Sequence, residues 1–293
     1  MSVLLTGILL LVASCNNSDN NSDAYGNFEA TEIVVSSEAN GRLVSFTVSE
    51  GQQIGQGKVV GCVDTTQLYL KKMQLLASRK SIASKTGNII SQMDVLKEQK
   101  ESALREKARF EKLVAQKAAT QKQLDDIHSQ VEVLDAQIKS IQTQNVAVVS
   151  EVEAMDMQVK QLNDQIQKSI IRNPIPGTVL VKYAEENEIT AFGKPLYKIA
   201  NLDTMTLRVY VSGAQLPLIQ IGQTVQVIID NGQNGTETLS GAISWIADHA
   251  EFTPKTIQTR EERVHLVYAV KVRVKNNGRL KIGMPGEMKL IKN

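Results

Sequence analysis

The sequence predicts an elongated, multidomain α+β protein: an antiparallel α-helical coiled-coil hairpin inserted into a split β-sandwich, followed by a small β-barrel and a further β-unit. Three observations carry this reading. Residues 66–170 contain no proline and a single glycine, Gly87, and are dominated by Lys, Glu, Gln, Ala and Leu, the composition of long helices. A glycine-punctuated motif stands once before that stretch and once after it. Beyond residue 203 the chain turns to short alternating runs separated by turn residues, the pattern of short strands.

The chain begins with an apolar run, MSVLLTGILLLVAS, over residues 1–14. It is too short to span a bilayer, which needs about 20 apolar residues, and has the shape of a secretory signal. Val12-Ala13-Ser14-Cys15 resembles a bacterial lipobox, which implies cleavage before Cys15 and lipidation of its thiol. No Lys or Arg precedes the apolar run, a departure from the signal pattern. Residues 15–25 read as a tether. Its NNSDNNSD stretch cannot build a core, and about eight residues reach at most ~30 Å. Stable anchoring takes more than one acyl chain, which the multiple acylation implied by a lipobox supplies. Residues 26–38 are expected to form a strand segment near the membrane.

In the second half of the proline-free stretch, apolar residues alternate by three and four: Leu124, Ile127, Val131, Leu134, Ile138 and Ile141, then Val148, Val152, Met155, Val159, Leu162 and Ile166. That average of about 3.5 residues is the period of a left-handed coiled coil. Asn145 fills the one gap and keeps the register. In the first half, Leu68, Leu75, Ile82, Ile89, Leu96, Ala103 and Phe110 recur every heptad, but their companions Arg79, Thr86, Met93, Lys100, Lys107 and Val114 are mixed. Each helix thus has one seam, and the first is half polar. The turn falls near 115–120, where Thr120 and Gln123 form a T-x-x-Q capping box. Arms of roughly 50 residues extend ~75 Å. Such a shape encloses no active site; it presents a tip.

The flanks repeat each other. Asn40-GRLVSFTVSEGQQIGQGKVVGCVD, ending at Asp64, aligns with Pro176-GTVLVKYAEENEITAFGKPLYKIANLD, ending at Asp203. With Gly41 on Gly177, Gly51 falls on Asn187 and Gly57-Lys58 on Gly193-Lys194. Gly and Asn are the residues that best tolerate left-handed turns. Residues 39–65 and 171–203 are therefore two halves of one small sandwich, and the hairpin 66–170 divides them. The repeat resembles the biotinyl/lipoyl domain, so the module is a split lipoyl-like β-sandwich. In carriers of that family a lysine on the hairpin between the halves holds the cofactor. Here the long helices replace that hairpin and no Met-Lys-Met or Asp-Lys-Ala turn survives, so carrier activity is a remote alternative. Cys62, on the last strand of the first copy, reads as a small core residue rather than a reactive thiol.

Residues 204–250 contain the runs TMTLRVYVSG, TVQVIID and LSGAISWIA, with turn signals at Gly222-Gln223 and Asn231-Gly232. They suggest a small β-barrel, with a short helix over Gln215–Ile221. Residues 251–293 are expected to finish the barrel and, with the segment near Phe28–Ser36, to form a membrane-proximal β-unit.

Composition excludes some functions. The 33 basic and 31 acidic residues leave no concentrated basic footprint for nucleic acid. Cys15 and Cys62 make no disulfide framework. His128, His249 and His265 show no metal-ligand spacing, and Asp248, His249, Glu251 and His265 make no set of nucleophile, base and orienting group. No catalytic, cofactor or metal site is predicted, and the chain is read as a non-enzyme.

The order of lipobox, half motif, coiled-coil hairpin, second half motif and barrel resembles the HlyD-like membrane fusion proteins, the periplasmic adaptors of Gram-negative efflux and secretion pumps. The resemblance implies a bridge between an inner-membrane transporter and an outer-membrane exit duct. It also implies a ring-like homo-oligomer, a hexamer by family, and a periplasmic location with the lipid anchor in a membrane, the inner one favoured. Glu251-Phe-Thr-Pro-Lys255, followed by Gln258-Thr-Arg-Glu-Glu-Arg263, resembles a segment of adaptors that accompany ABC-type exporters; the alternatives are an RND or major-facilitator pump. Gly283-Met-Pro-Gly286 resembles the family's closing motif. The family's tip motif falls on Arg109, Leu113 and Thr120, with Thr in place of Ser. By resemblance these three dock the hairpin onto the outer-membrane channel. Their structural readings are a solvated helix residue, a seam residue and a helix cap.

Overall fold

A computed structural model describes residues 22–232, 235–252 and 266–291. The predicted signal segment, Cys15, residues 15–21 of the tether, and residues 253–265 with His265 lie outside the described residues.

The hairpin consists of α1 (Thr66–Ala115) and α2 (Gln121–Lys168). Asp64 starts α1: its Oδ1 accepts the Thr66 amide at 2.9 Å and the Thr66 hydroxyl at 2.6 Å. Along α1 the least exposed side chains follow the heptad seam from Leu68 to Val114, and on α2 Val131, Leu134, Ile138, Val159 and Leu162 are buried. The charged companions on α1 are matched across the hairpin. Arg79 donates to both carboxylate oxygens of Asp156, at 2.5 and 2.9 Å. Lys100 reaches Asp135 at 2.5 Å, and Lys107 donates to His128 Nδ1 at 3.0 Å. Each partner stands one residue after a seam position of α2, so the half-polar seam is flanked by groups that satisfy it.

The sandwich contains β2 (Glu32–Ser36), β3 (Gly41–Phe46), β4 (Gln53–Ile54) and β5 (Val59–Val63) before the hairpin. After it come β6 (Ile170–Arg172), β7 (Gly177–Lys182), β8 (Ile189–Thr190) and β9 (Pro195–Ala200). They form two four-stranded sheets, ordered β2-β9-β7-β4 and β6-β5-β3-β8. The offset that carries Gly41 onto Gly177 carries each strand of the second sheet onto one of the first. It also carries hydrogen bonds onto hydrogen bonds. Leu43 N–H donates to Glu188 O as Val179 N–H donates to Gln52 O, and Ser37 N–H to Lys194 O as Asn173 N–H to Lys58 O. Gly51 and Asn187 take φ of 79° and 72° at the same turn, which explains the residue types there. Each sheet takes two strands from each half, so neither half closes alone. Residues 32–36, assigned from sequence to a membrane-proximal segment, pair with β9 instead; this strand is the repeat mate of β6.

One buried cluster binds the halves. The Asn173 amide donates to the carbonyls of Ile54, Gly55 and Ile175, and its Oδ1 accepts the Tyr197 hydroxyl at 3.0 Å. Both residues are fully buried, and burial pushes the Tyr197 phenol up to about 12.

The barrel is closed by six antiparallel strands: β1 (Ala24–Glu29), β10 (Thr204–Ser212), β11 (Thr224–Asp230), β12 (Thr236–Ile246), β14 (Leu266–Lys275) and β15 (Pro285–Leu290). They run in the order β10-β1-β15-β11-β12-β14 and back to β10, with β13 (Glu251–Phe252) beside β14. Strict alternation on β10 turns Met205, Leu207, Val209 and Val211 inward to meet Phe28, Val227, Val272 and Met288. The separate membrane-proximal β-unit expected from sequence is absent among the described residues. Its candidate strands β1 and β15 are needed to close the barrel, where Gly26 faces Gly286. A Cβ on Gly286 would stand 2.8 Å from the Phe28 ring, which gives the closing glycine of the Gly283–Gly286 motif a packing role. The short helix expected over 215–221 is a single 3₁₀ turn, Leu216–Leu218, around Pro217.

Candidate docking site at the hairpin tip

The tip is built by two caps. At the end of α1, Lys117 N–H donates to Val114 O and Ala118 N–H to Leu113 O, at 2.9 and 2.8 Å. This pair of bonds is a Schellman closure. Lys117 occupies the left-handed position with φ 59°, where glycine is the usual residue. At the start of α2, Thr120 accepts the Gln123 amide while the Gln123 side chain accepts the Thr120 amide at 2.9 Å. The predicted capping box is present. The Schellman closure was not foreseen, because its glycine signal is missing.

Arg109 and Leu113 are four residues apart and share a face of α1. The Arg109 side chain is 67% exposed, pairs with Glu106 at 3.2 Å and rests 5.9 Å from the Phe110 ring centroid. Among the described residues one of its five donors is engaged, by Glu106. Leu113 is half-buried where its helix ends, and Thr120 is exposed. The three positions thus cluster within the last turns of the hairpin: an exposed cation, an apolar contact and a hydroxyl already engaged as a cap.

The other candidate residues have structural or solvent-facing places. His249 contacts Asp248 at 2.5 Å, and both are exposed. Glu251 holds Arg208 at 2.9 Å and so ties β13 to β10. Burial opposes the Arg208 charge, but the neighbouring Tyr210 and Glu251 outweigh it and push its pKa up. Cys62, expected as a small core residue, is half-buried. Burial, with Asp64 nearby, pushes its thiol up, away from the thiolate form that reactivity needs. Among the described residues no group of three or more His, Cys, Asp or Glu stands together in a way that could hold a metal ion. Nor is any helix there long and apolar enough to cross a membrane.

No family model matches the chain. It is 24% identical to the UPF0194 membrane protein YE2891 of Yersinia enterocolitica over 292 residues, covering 91% of this chain and 88% of that protein. Among solved structures it is similar to MacA from Actinobacillus actinomycetemcomitans, with a TM-score of 0.56 at 19% identity over 90% of this chain and 76% of that one. The membrane fusion protein Spr0693 from Streptococcus pneumoniae R6 superposes with a TM-score of 0.54 at 15% identity, over 92% of this chain and 98% of that one. With its hairpin set into a two-fold sandwich and a closed barrel behind, the chain has the fold of the HlyD-like membrane fusion proteins.

Proposed function

We propose that this chain is the periplasmic adaptor of a tripartite export system, joining an inner-membrane transporter to an outer-membrane exit duct. The observation that carries the proposal is the placement of the hairpin. It leaves the sandwich between β5 and β6 and ends in a tip that exposes the Arg109 guanidinium. Arg109, Leu113 and Thr120 dock the duct: Arg109 through its rigid fork of donors, Leu113 through apolar contact, and Thr120 mainly by fixing the turn. Cys15 is the lipidation site and anchors the chain, at the inner membrane. The working form is a ring of copies, a hexamer by family resemblance. An ABC-type exporter is the transporter favoured by the Glu251–Arg263 segment.

Photo-cross-linkers placed in living cells at positions 109, 113 and 120 are expected to capture an outer-membrane channel. Arg109→Ala combined with Leu113→Ser is expected to abolish that capture while helix content stays unchanged. Tip cross-linkers that never reach an outer-membrane protein would sink the proposal. Co-purification from the inner membrane identifies the transporter class, and an ATP-hydrolysing partner is the expected result.

A further inference from the structure

The described chain enters the barrel at the end remote from the hairpin, and two side chains fix the entry point. The Gln215 amide donates to Asp23 O at 2.7 Å, and the Asp23 carboxylate accepts the Leu290 amide at 2.7 Å. Ser22 bonds Glu287 beside them. This entry is ringed by exposed apolar groups: Leu218 is 63% exposed, Ile221 69% and Ile291 44%. The fold does not require the first two. In the turn between β10 and β11, Leu216 and Ile219 pack against the barrel core, while Leu218 and Ile221 alternate with them and face out. The inward pair secures the turn, and the outward pair is surplus to it.

We infer that this end of the barrel rests on a lipid surface, with Leu218, Ile221 and Ile291 dipping into the headgroup–acyl boundary. The length of chain before the entry point selects the occupant. Only residues 16–21 separate Cys15 from Ser22, a reach of at most ~25 Å. An acylated Cys15 therefore holds the rim at the bilayer, and the inference rests on that anchoring for its geometry. Apolar side chains that bury ~5–10 Å into an interface add to the hold of an acyl chain. They also orient the molecule, which a polar tether alone does not.

The test uses the full chain, expressed in bacteria and reconstituted without other proteins into phosphatidylethanolamine–phosphatidylglycerol vesicles that carry a doxyl-lipid quencher. In a Cys62→Ser background, Leu218→Cys and Ile221→Cys are labelled separately with an environment-sensitive fluorophore. Ile189→Cys, at a residue 76% exposed on the sandwich, is the control. Mass spectrometry reads the state of Cys15 on the same samples. Quenching at 218 and 221 at least about fivefold above that at 189 is expected for interfacial burial. If Cys15 is acylated and 218 and 221 stay as wet as 189, lipid contact is overturned while anchoring stands, and the rim then belongs to a protein partner. If Cys15 is unmodified yet 218 and 221 are quenched, lipid contact stands and anchoring fails. Equal quenching at all three sites means that the chain lies flat on the bilayer, which also overturns the inference.

Discussion

Asn173→Ala should loosen the sandwich by about 3 kcal/mol and leave the barrel alone. The substitution removes an amide whose two N–H groups are shared among three carbonyls and whose oxygen accepts the Tyr197 hydroxyl. Four contacts are lost, but two N–H groups shared among three carbonyls count as about two bonds, so with the Tyr197 hydroxyl the loss is about three bonds at about 1 kcal/mol or somewhat more each. Tyr197→Phe removes one of the three and should cost about 1 kcal/mol. The two substitutions share that bond, so the double variant should fall short of additivity by about 1 kcal/mol. Ser37 is the repeat mate of Asn173 and provides an internal comparison. Its hydroxyl bonds only locally, donating to Ala39 O at 2.7 Å and accepting the Ala39 amide at 3.3 Å, and Ser37→Ala should cost about 1 kcal/mol. Amide hydrogen exchange reads the two units separately. Leu43 and Val179 N–H groups, bonded across the two-fold, report the sandwich, and Val227 and Val272 report the barrel. The reasoning fails if Asn173→Ala and Ser37→Ala lower sandwich protection equally, or if barrel protection falls as well.

The Tyr197 phenol titrates higher in the fold than in the open chain, so it contributes stability that is complete below pH ~10 and lost as pH rises toward its folded value of about 12. Urea midpoints measured up that range should slope downward in the parent and flatten in Tyr197→Phe. Asp156 behaves in the opposite sense: the Arg79 hydrogen bonds hold its carboxyl below the usual carboxylate range. Its contribution is present above pH ~4 and disappears as pH falls through the depressed value. Asp156→Asn should lower the melting temperature of the hairpin at neutral pH and remove that share of the acid-induced helix loss seen by circular dichroism. Lys117 sits at φ 59°, a conformation that costs a side-chain-bearing residue about 1–2 kcal/mol. Lys117→Gly should therefore stabilise the hairpin by about 1 kcal/mol after glycine's own entropy loss, whereas Lys117→Ala should gain nothing.

What the sequence made legible was periodic or repeated. The α2 heptads, the capping box at Thr120 and the glycine spacing of the two halves each depend on residues close in the chain, or on one pattern occurring twice. The charged seam of α1 looked like weakness because each answering group lies on the other arm and one place off its heptad. Nothing local links Arg79 to Asp156. Strand β2 was misplaced for a similar reason: it shares no glycine with its mate β6, only the apolar pairs Val34-Val35 and Ile170-Ile171. The closure of the barrel by β1 and β15 joins residues more than two hundred positions apart, such as Ala24 and Met288. Alternation identifies such strands but cannot say which neighbours they choose. At the tip, Arg109 and Leu113 are singled out by resemblance alone, since an exposed arginine on a long helix carries no signal of its own.

The two-fold of the sandwich also accounts for the elongated order of the molecule. Here the two-fold lies across the strands, so equivalent exits point to opposite poles. The first half ends at Val63 and Asp64 beside Gly41 and runs into α1. The second half ends at Ala200 beside Gly177 and runs into β10. Hairpin and barrel are thus placed at opposite ends by the symmetry itself, with no further contact needed to hold them apart. The symmetry also explains how so long an insertion is tolerated. Closing a flexible loop of that length between β5 and β6 would cost about 3 kcal/mol more than closing a tight turn. The coiled coil brings its own ends together, and the Val63 amide bonds Ser169 O at 2.9 Å across the root. For the sandwich, the hairpin therefore counts as a short turn, and the sandwich sets no limit on its length.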